Sequence, residues 1–439
     1  MQRESIWESY LINEKDRVNY KEKVLQHDIS TDVLVVGAGI AGILCAYRLS
    51  LAGISCVLVD KGSFLEGVTR NTTAKITAQH GLIYDKIRKS YGLEKAKQYY
   101  EINTLALHEY KKMSKEIPCD MEEKTAYIYS SNRQKELERE ADVYDKLAIP
   151  CIWQENTPLP VAAGAAIGMK YQAQFNPVKM LSALASKADI YENTQVLEIK
   201  EGEAVTNRGN IRASQIVLAT HFPMVNIPGG YFVKMYQSRS YAIAVENGGY
   251  VDGMYMDDNN KGFSFRNYKD YLLIGGCGHK TGIKSDGIIR LKKLADSEYT
   301  GKKISYMWSA QDCMSLDGIP YIGHHSKRKK SVFVATGFNK WGMTGAMSAA
   351  MVLEDLIMRG KSEYEELFSP ERSIWHPQLL VNLGSAVGNI LSPGKRCTHM
   401  GCALRWNPQE RTWDCPCHGS RFDKDGAVLE NPAKRDKNI

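Results

Sequence analysis

Two short boxes near the carboxyl end of the chain contain residue types that bind metal ions. The first reads Cys397-Thr398-His399, and the second reads Cys415-Pro416-Cys417-His418. The patterns C-x-H and C-x-x-H use two of the cysteines, Cys397 and Cys415, and both histidines, which is a complete set of four ligands. Thiolates suit one iron of a [2Fe–2S] cluster and neutral imidazoles suit the other, and such a cluster accepts an electron more readily than one held by four thiolates.

A zinc site is the main alternative interpretation of these boxes. Zinc sites with two cysteines and two histidines usually place the cysteine pair before the histidine pair, whereas the two residue types alternate here. The alternating order favours the iron–sulfur cluster. Absorption spectra and iron content distinguish the two interpretations.

A glycine-rich turn near the amino end predicts a dinucleotide site. Val33–Val36 is an apolar run typical of a buried strand, and Gly37–Gly42 follows it with the pattern G-x-G-x-x-G. A helical stretch and a second apolar strand, Cys56–Val59, come next, and Asp60 ends the unit. In such a βαβ unit the dinucleotide phosphates lie on the helix N-terminus and the acidic residue accepts hydrogen bonds from the ribose. An ordinary glycine-rich turn in an α/β sheet is the alternative.

Other patterns indicate the elements that position these residues. Residues 93–117 and 133–147 have the periodicity of amphipathic helices. Residues 232–274 predict antiparallel strands that suit a sheet over a substrate pocket. Residues 332–336 form an apolar strand, and a second glycine turn, Gly337–Thr344, then opens an apolar helix. This second turn suggests that the chain returns to the cofactor.

Composition limits the partners and the compartment. The net charge of +7 is mild and predicts no nucleic-acid partner, and the basic Lys327–Lys330 cluster is more simply a solvated hairpin turn. No run of about 18 apolar residues exists, so no membrane span is predicted. Residues 1–30 lack the apolar core of a signal peptide. Cysteines scattered through the first part of the chain suggest a reducing, cytoplasmic environment.

The chain from Thr31 to Arg359 resembles the flavin-dependent amine and amino-acid oxidases of the D-amino-acid oxidase and glycine oxidase type. The resemblance is carried by the glycine-rich unit with Asp60 and by the stretches ATHFP, DGIPYIG and ATGFNKWGMT. It implies FAD rather than NAD, because in this family the late glycine stretch closes over the flavin ring. The implied FAD contacts are Gly37, Gly39, Ile40, Ala41, Gly42, Asp60, Lys61, Thr69, Thr72, Thr73, Ala74, Val196, Ala219, Thr220, Gly337, Trp341, Gly342, Met343 and Thr344.

The two carboxy-terminal boxes closely resemble those of Rieske iron–sulfur proteins, in the variety with an extra cysteine in each box. The resemblance implies a disulfide between Cys402 and Cys417, and the following cluster ligands: Cys397, His399, Cys415 and His418. A Rieske domain usually has more strands on both sides of its boxes than the residues after Ile374 provide. A shortened domain is therefore expected. Flavin oxidoreductases with a carboxy-terminal Rieske domain are a known bacterial group, which the stretch TTAKITAQHGLIYDK also resembles.

The predicted fold class is α/β (α+β), with a Rossmann-like FAD-binding domain, an antiparallel-sheet substrate domain and a small β-rich Rieske domain. We predict an amino-terminal arm at 1–30, an FAD-dependent oxidoreductase at 31–373 and a shortened Rieske domain at 374–439. The FAD-binding segments are 31–90, 151–225 and 311–373, and the substrate domain comprises 91–150 and 226–310.

Together these resemblances imply an FAD-dependent oxidoreductase that oxidises a small amine or amino-acid-like substrate at a C–N bond. Electrons would pass singly through the cluster to an acceptor, such as a redox protein. Arg266 could bind a substrate carboxylate, with a surface strand arginine as the alternative. His80, which could lie near the flavin, and Lys340 are further catalytic candidates, although core or surface packing is the simpler interpretation of Lys340. An electron-transfer module without its own organic substrate is the alternative function. A zinc-stabilised nucleotide-binding protein without redox chemistry is a third.

Overall fold

The computed structural model describes residues 4–18, 20–65, 67–225 and 228–437. Residues 1–3, 19, 66, 226–227 and 438–439, which fall within the predicted domains, lie outside the described residues. The described helices are α1 (Glu8–Arg17), α2 (Ile40–Leu51), α3 (Ile83–Tyr91), α4 (Leu93–Ser114), α5 (Gln134–Lys146), α6 (Pro177–Ala185), α7 (Tyr231–Lys234), α8 (Gly287–Glu298), α9 (Gly342–Arg359), α10 (Glu365–Phe368) and α11 (Pro377–Leu391). The described strands are β1 (Ile29–Val36), β2 (Cys56–Val59), β3 (Lys75–Ile76), β4 (Glu122–Ser130), β5 (Cys151–Gln154), β6 (Ala165–Gln174), β7 (Asp189–Tyr191), β8 (Val196–Lys200), β9 (Glu203–Thr206), β10 (Asn210–Leu218), β11 (Met235–Glu246), β12 (Met254–Asp257), β13 (Phe263–Tyr268), β14 (Tyr271–Lys280), β15 (Ile304–Ser315), β16 (Tyr321–Ser326), β17 (Lys329–Thr336), β18 (Arg405–Asn407), β19 (Thr412–Asp414), β20 (Arg421–Phe422) and β21 (Val428–Glu430).

The first sheet holds the glycine-rich unit and has the strand order β16-β17-β10-β1-β2-β7, with β9 also paired to β10. Strands β17, β10, β1, β2 and β7 run parallel, and β16 is antiparallel to β17. Val33 and Val35 pack into one core with α2 and α9, while Leu34 and Val36 pack into another. Because both faces of β1 are covered at Val33–Val36, this half of the strand is an unbroken apolar run.

The second sheet has the order β15-β11-β14-β13-β12-β4-β6-β3, with β5 beside β6. Most of its pairs are antiparallel, as predicted for the substrate domain, but β12 runs parallel to β4. Three of its strands lie wholly in predicted FAD-binding segments, β3 in 31–90 and both β5 and β6 in 151–225, and β15 crosses the predicted boundary at 311. Helix α5 turns the chain back after β4, so that β6 pairs with β4 in antiparallel register and belongs to this sheet.

The carboxy-terminal part combines α11 with a small antiparallel sheet of order β18-β19-β20-β21. Its core is small and includes the cysteines of both boxes and Phe422, with Ala386 of α11 packed against them. The α/β prediction with a β-rich end is confirmed. None of the described helices is both long and apolar enough to cross a membrane.

The amino-terminal arm folds onto the second sheet. Trp7 is fully buried, and its indole Nε1 donates a hydrogen bond to the carbonyl oxygen of Thr72 at 2.7 Å. The edge of its ring packs on Tyr268 with the centroids 4.7 Å apart. The arm thus covers the end of β13 that carries Arg266.

Candidate functional site

The glycine-rich loop leaves no room for side chains. A Cβ atom on Gly37 would lie 2.6 Å from the carbonyl oxygen of Ala219, and one on Gly42 would lie 1.8 Å from the carbonyl oxygen of Gly37. Asp60 fixes the turn, since its carboxylate accepts hydrogen bonds from the backbone N–H groups of Ala38 at 2.7 Å and Gly62 at 2.9 Å. The backbone at the start of α2 can therefore approach a phosphate closely, so the loop fits FAD.

A cavity of about 830 Å³ opens beside this loop, and its volume suits a large ligand. The predicted FAD contacts that line it are Gly37, Gly39, Ile40, Ala41, Asp60, Lys61, Thr69, Thr72, Thr73, Val196, Ala219, Thr220, Gly342 and Met343. The predicted contacts that do not line it are Gly42, Ala74, Gly337, Trp341 and Thr344. Two of these lie behind the wall, where Trp341 stacks on His80 and Thr344 donates a hydrogen bond to the carbonyl oxygen of Thr77.

His80 also lies behind the cavity wall. Its Nδ1 contacts the hydroxyl of Tyr99 at 2.6 Å, and its Nε2 contacts the carbonyl oxygen of Thr77 and the hydroxyl of Thr344. Burial lowers the pKa of the imidazole to about 3. A neutral, fully bonded ring outside the cavity is placed to join segments of the fold, and this position favours the packing interpretation over catalysis.

Lys340 does line the cavity, together with Asp312. Burial lowers the pKa of the Lys340 ammonium and raises the pKa of the Asp312 carboxyl. The two opposite charges attract each other, so each residue opposes the pKa shift that burial causes in the other. Lys340 Nζ lies 3.5 Å from Asn260 Oδ1. These two groups can hold or release a proton inside the cavity.

Arg266 is fully buried, and none of its three guanidinium nitrogens has a hydrogen-bond partner among the described residues. Its guanidinium carbon lies 5.6 Å from the ring centroid of Trp7. Arg266 does not line the cavity, but alternate residues of a strand share a face, and Ser264, two residues earlier on β13, does line it.

Lys75 is a second buried cation in this region. Its Nζ lies 3.4 Å from the Oγ1 of Thr73, which lines the cavity. Burial, together with the charge of Arg266, lowers the pKa of Lys75 to about 7. Neither cation contacts a carboxylate in the part of the chain that the structure describes, and two such buried positive charges favour an anion.

The two boxes meet as the cluster prediction requires. A hydrogen bond from the Cys415 thiol lowers the pKa of Cys397 to about 6. The rings of His399 and His418 have centroids 5.1 Å apart, and Nδ1 of His418 is buried without a hydrogen-bond partner among the described residues. Cys402 and Cys417 form a disulfide, the pairing that the resemblance implies. Two thiols and two imidazoles thus converge in a way that fits a [2Fe–2S] cluster.

The two histidines face the flavin part of the chain. The ring of Phe222 lies 6.3 Å from that of His399 and 6.5 Å from that of His418. Asn431, from the segment after the second box, donates hydrogen bonds to the carbonyl oxygens of Thr220 at 2.6 Å and Phe222 at 3.2 Å. Since Thr220 lines the cavity, one short segment connects the cavity wall to the cluster boxes.

A buried group of charges joins the same two parts of the chain. Arg239 of β11 is 3% exposed and donates a hydrogen bond to Glu410 at 2.5 Å, and its guanidinium lies 3.3 Å from Glu430. Arg421 contacts the same two glutamates. The guanidinium groups hold the pKa of Glu410 at about 2, against burial, which would raise it. Arg239 is the member of this charge cluster that the second sheet contributes.

Sequence reasoning missed several of these residues, because each acts through a partner far along the chain. The cavity wall also includes the carboxy-terminal residues Val428–Asp436 and residues of β11, β14 and β15. Arg239 and Asp312 lie in strands whose patterns indicated sheet structure and nothing about charge. The pairing of Arg239 with Glu410 and Glu430 has no local signal in the sequence, because it exists only after the two parts of the chain come together.

The cavity and the boxes therefore define a flavin-dependent oxidoreductase that also carries an iron–sulfur centre. The model of the family DAO, FAD dependent oxidoreductase, matches residues 32–356, and the model of the Rieske [2Fe-2S] domain matches residues 361–438. The chain belongs to the FAD-dependent oxidoreductase family and carries a Rieske domain. FAD and a [2Fe–2S] cluster are its cofactors.

Similar proteins support this assignment. The chain is 35% identical to YhfW of Bacillus subtilis, a Rieske 2Fe-2S iron-sulfur protein by name, over 93% of each chain. Among solved structures, the L-proline dehydrogenase of P. horikoshii matches 80% of this chain and 98% of its own, with 18% identity and a TM-score of 0.66. The glycine oxidase of Geobacillus kaustophilus matches 78% of this chain and 99% of its own, with 19% identity and a TM-score of 0.66. These two likenesses concern the fold.

Proposed function

We propose that this oxidoreductase oxidises a small amino acid or related amine at its C–N bond and transfers the electrons one at a time, through the Rieske cluster, to an acceptor. The observation that carries the proposal is the cavity, whose wall combines the glycine-rich loop with residues 428–436 beside the cluster boxes. When bound, FAD accepts a hydride and the cluster transfers single electrons. The proline dehydrogenase and glycine oxidase of the same fold act on amino acids, as their names state.

Arg266 and Lys75 are proposed to select a carboxylate. The buried guanidinium of Arg266 has donors and no hydrogen-bond partner among the described residues, so an anion would satisfy it, and Lys75 adds a second positive charge nearby. Lys340 and Asp312 are proposed to carry the proton that leaves the substrate nitrogen. Thr220 and Phe222 are proposed to hold the cluster boxes against the cavity wall through Asn431.

The test uses the holoenzyme without air and follows the loss of flavin absorption. Glycine, L-proline and other L-amino acids are added, each beside the amine that lacks its carboxylate. We expect bleaching by at least one amino acid and much slower bleaching by its amine. If no compound bleaches the flavin but a reduced redox protein does, the chain is an electron-transfer module and the proposal is wrong.

Replacing Arg266 by glutamine is expected to raise the KM for an anionic substrate about tenfold to a hundredfold. A hydrogen bond to a charged group contributes about 1.5–3 kcal/mol, and the substitution removes the charge. Arg359→Gln is the control, because Arg359 is 70% exposed at the end of α9. Equal KM values for Arg266→Gln and the unmodified enzyme would show that Arg266 does not contact the substrate.

Substrate affinity is expected to fall as the pH rises through about 7. In the free protein the pKa of Lys75 is lowered from its ordinary value to about 7, so Lys75 is charged below that pH and largely neutral above it. An anion prefers the charged form, and above pH 7 binding must be accompanied by proton uptake, which weakens it by up to about tenfold per pH unit. Lys75→Met keeps a long apolar side chain and should remove this dependence in KM-against-pH profiles.

A further inference from the structure

Helix α11 has its polar and apolar sides reversed. Asn382 is buried and donates a hydrogen bond to the carbonyl oxygen of Val233 at 3.2 Å. Ser385 accepts one from Lys280 Nζ at 2.8 Å. The residues that point away from the protein are apolar, and we call them the apolar face of α11: Leu380, Val381, Leu383, Val387, Ile390 and Leu391.

The apolar face of α11 is unusually exposed for a set of apolar side chains. Leu380 is 71% exposed and Leu391 is 78% exposed, and Trp375, just before the helix, is 86% exposed. A surface helix normally turns its apolar side to the core. A contiguous apolar patch on a surface marks a binding surface. The polar residues of α11 already hold it in place, so the apolar face is available for a partner outside the fold.

Basic residues lie at both ends of this face. No aspartate or glutamate occurs between Glu371 and Glu410, whereas Lys395, Arg396 and Arg405 follow the helix and are exposed. At the other end the basic hairpin Lys327–Lys330 approaches the residues before the helix, with Lys327 Nζ 3.8 Å from Glu371. The apolar face therefore lies between two groups of positive charge.

This charge pattern opposes pairing with a second copy of the chain. In a two-fold dimer through α11, each end of the helix meets either the same end or the opposite end of its partner. Both ends are basic, so either arrangement brings like charges together. An anionic lipid surface complements the same pattern, because positive charge attracts its headgroups while the apolar face enters the interface.

We propose that α11 docks this protein on a membrane surface that contains anionic lipid, with the helix axis in the plane of the interface. Trp375 lies at one end of the face, and Trp406, 42% exposed, lies beyond the other end. Tryptophan is enriched at the boundary between headgroups and acyl chains. Ala386 of α11 packs against the core of the cluster boxes, so docking brings the Rieske region to the lipid surface.

The test measures flotation of the full-length holoprotein with vesicles. We expect binding to vesicles of phosphatidylcholine and phosphatidylglycerol, at least tenfold weaker binding to pure phosphatidylcholine, and weakening with added salt. The double substitution Leu380→Asp with Leu391→Asp should reduce binding at least tenfold, while its flavin and cluster spectra stay unchanged. Leu51→Asp is the matched control, because Leu51 is 71% exposed at the end of α2, and it should bind normally.

A second variant covers the case in which the double substitution alters folding. Lys395→Gln removes one positive charge beyond the end of α11 without removing a hydrogen bond to the helix, and it should lower binding to anionic vesicles while changing little with neutral ones. Absence of binding by the unmodified protein would overturn the proposal. So would a dimer in analytical ultracentrifugation that the α11 substitutions dissociate, since the face would then join two copies. No substrate or acceptor is present, so the outcome is independent of the proposed function.

Discussion

Replacing Arg239 by methionine is expected to release the Rieske region from the rest of the protein. Arg239 belongs to β11 and is part of a buried charge cluster. The other members of this cluster belong to the carboxy-terminal region and are Arg421, Glu410, Glu430 and Asp414. Its loss would leave buried carboxylates without enough positive charge. Breaking a buried ion pair in this way costs about 3–5 kcal/mol. The equilibrium constant for docking of the Rieske region would therefore fall on the order of a hundredfold or more.

Two measurements check this expectation. The flavin is reduced by light and EDTA without air, and the rate at which the cluster absorption then decreases reports transfer between the two sites. Limited proteolysis between 360 and 376 reports undocking without any redox chemistry. We expect slower cluster reduction and faster cleavage, with the flavin itself reduced normally.

Arg359→Met is the matched control for the change in charge. Arg359 pairs with Asp355 on the exposed side of α9 at 3.2 Å, and exposed pairs contribute about 0–1 kcal/mol. If Arg239→Met behaved like this control in both measurements, the charge cluster would not hold the two regions together. Loss of the cluster signature in Arg239→Met before any reduction would instead indicate that the docked state is needed to retain iron.

The features that could be predicted from the sequence are those in which neighbours along the chain determine the structure. In Val33–Asp60, strand, turn, helix and strand follow one another, and the spacing of three glycines depends only on the turn between β1 and α2. The cluster boxes are equally local, because Cys397 and His399 are two residues apart. The structure therefore agrees with the sequence closely in both places.

The features that escaped prediction depend on contacts between distant segments. Nothing near Arg239 indicates that Glu410 will lie against it, and nothing near Lys75 indicates that Arg266 will be its neighbour. The reversed sides of α11 show the same limit. Its periodicity cannot tell which side is buried, because that depends on where Val233 and Lys280 accept or donate hydrogen bonds.

Replacing Gly282 by alanine is expected to displace the second cluster box. Gly282 follows β14 with a φ of +79°, and a Cβ atom there would lie 2.6 Å from the backbone nitrogen and Cα of Pro416. The clash is with backbone, so the box itself must move. Overpacking of this kind costs about 1–3 kcal/mol, in addition to about 1–2 kcal/mol for an alanine in the left-handed region.

Gly301→Ala separates these two costs. Gly301 has a nearly equal φ of +75°, but nothing lies within 4 Å of its added Cβ atom. Alanine in the left-handed conformation should destabilise both variants, and this loss is measured as a lower urea midpoint of unfolding. Only Gly282→Ala should also slow cluster reduction by the light-reduced flavin and change the electron paramagnetic resonance of the reduced cluster. If the two variants matched in all three measurements, the close contact between Gly282 and Pro416 would not position the cluster.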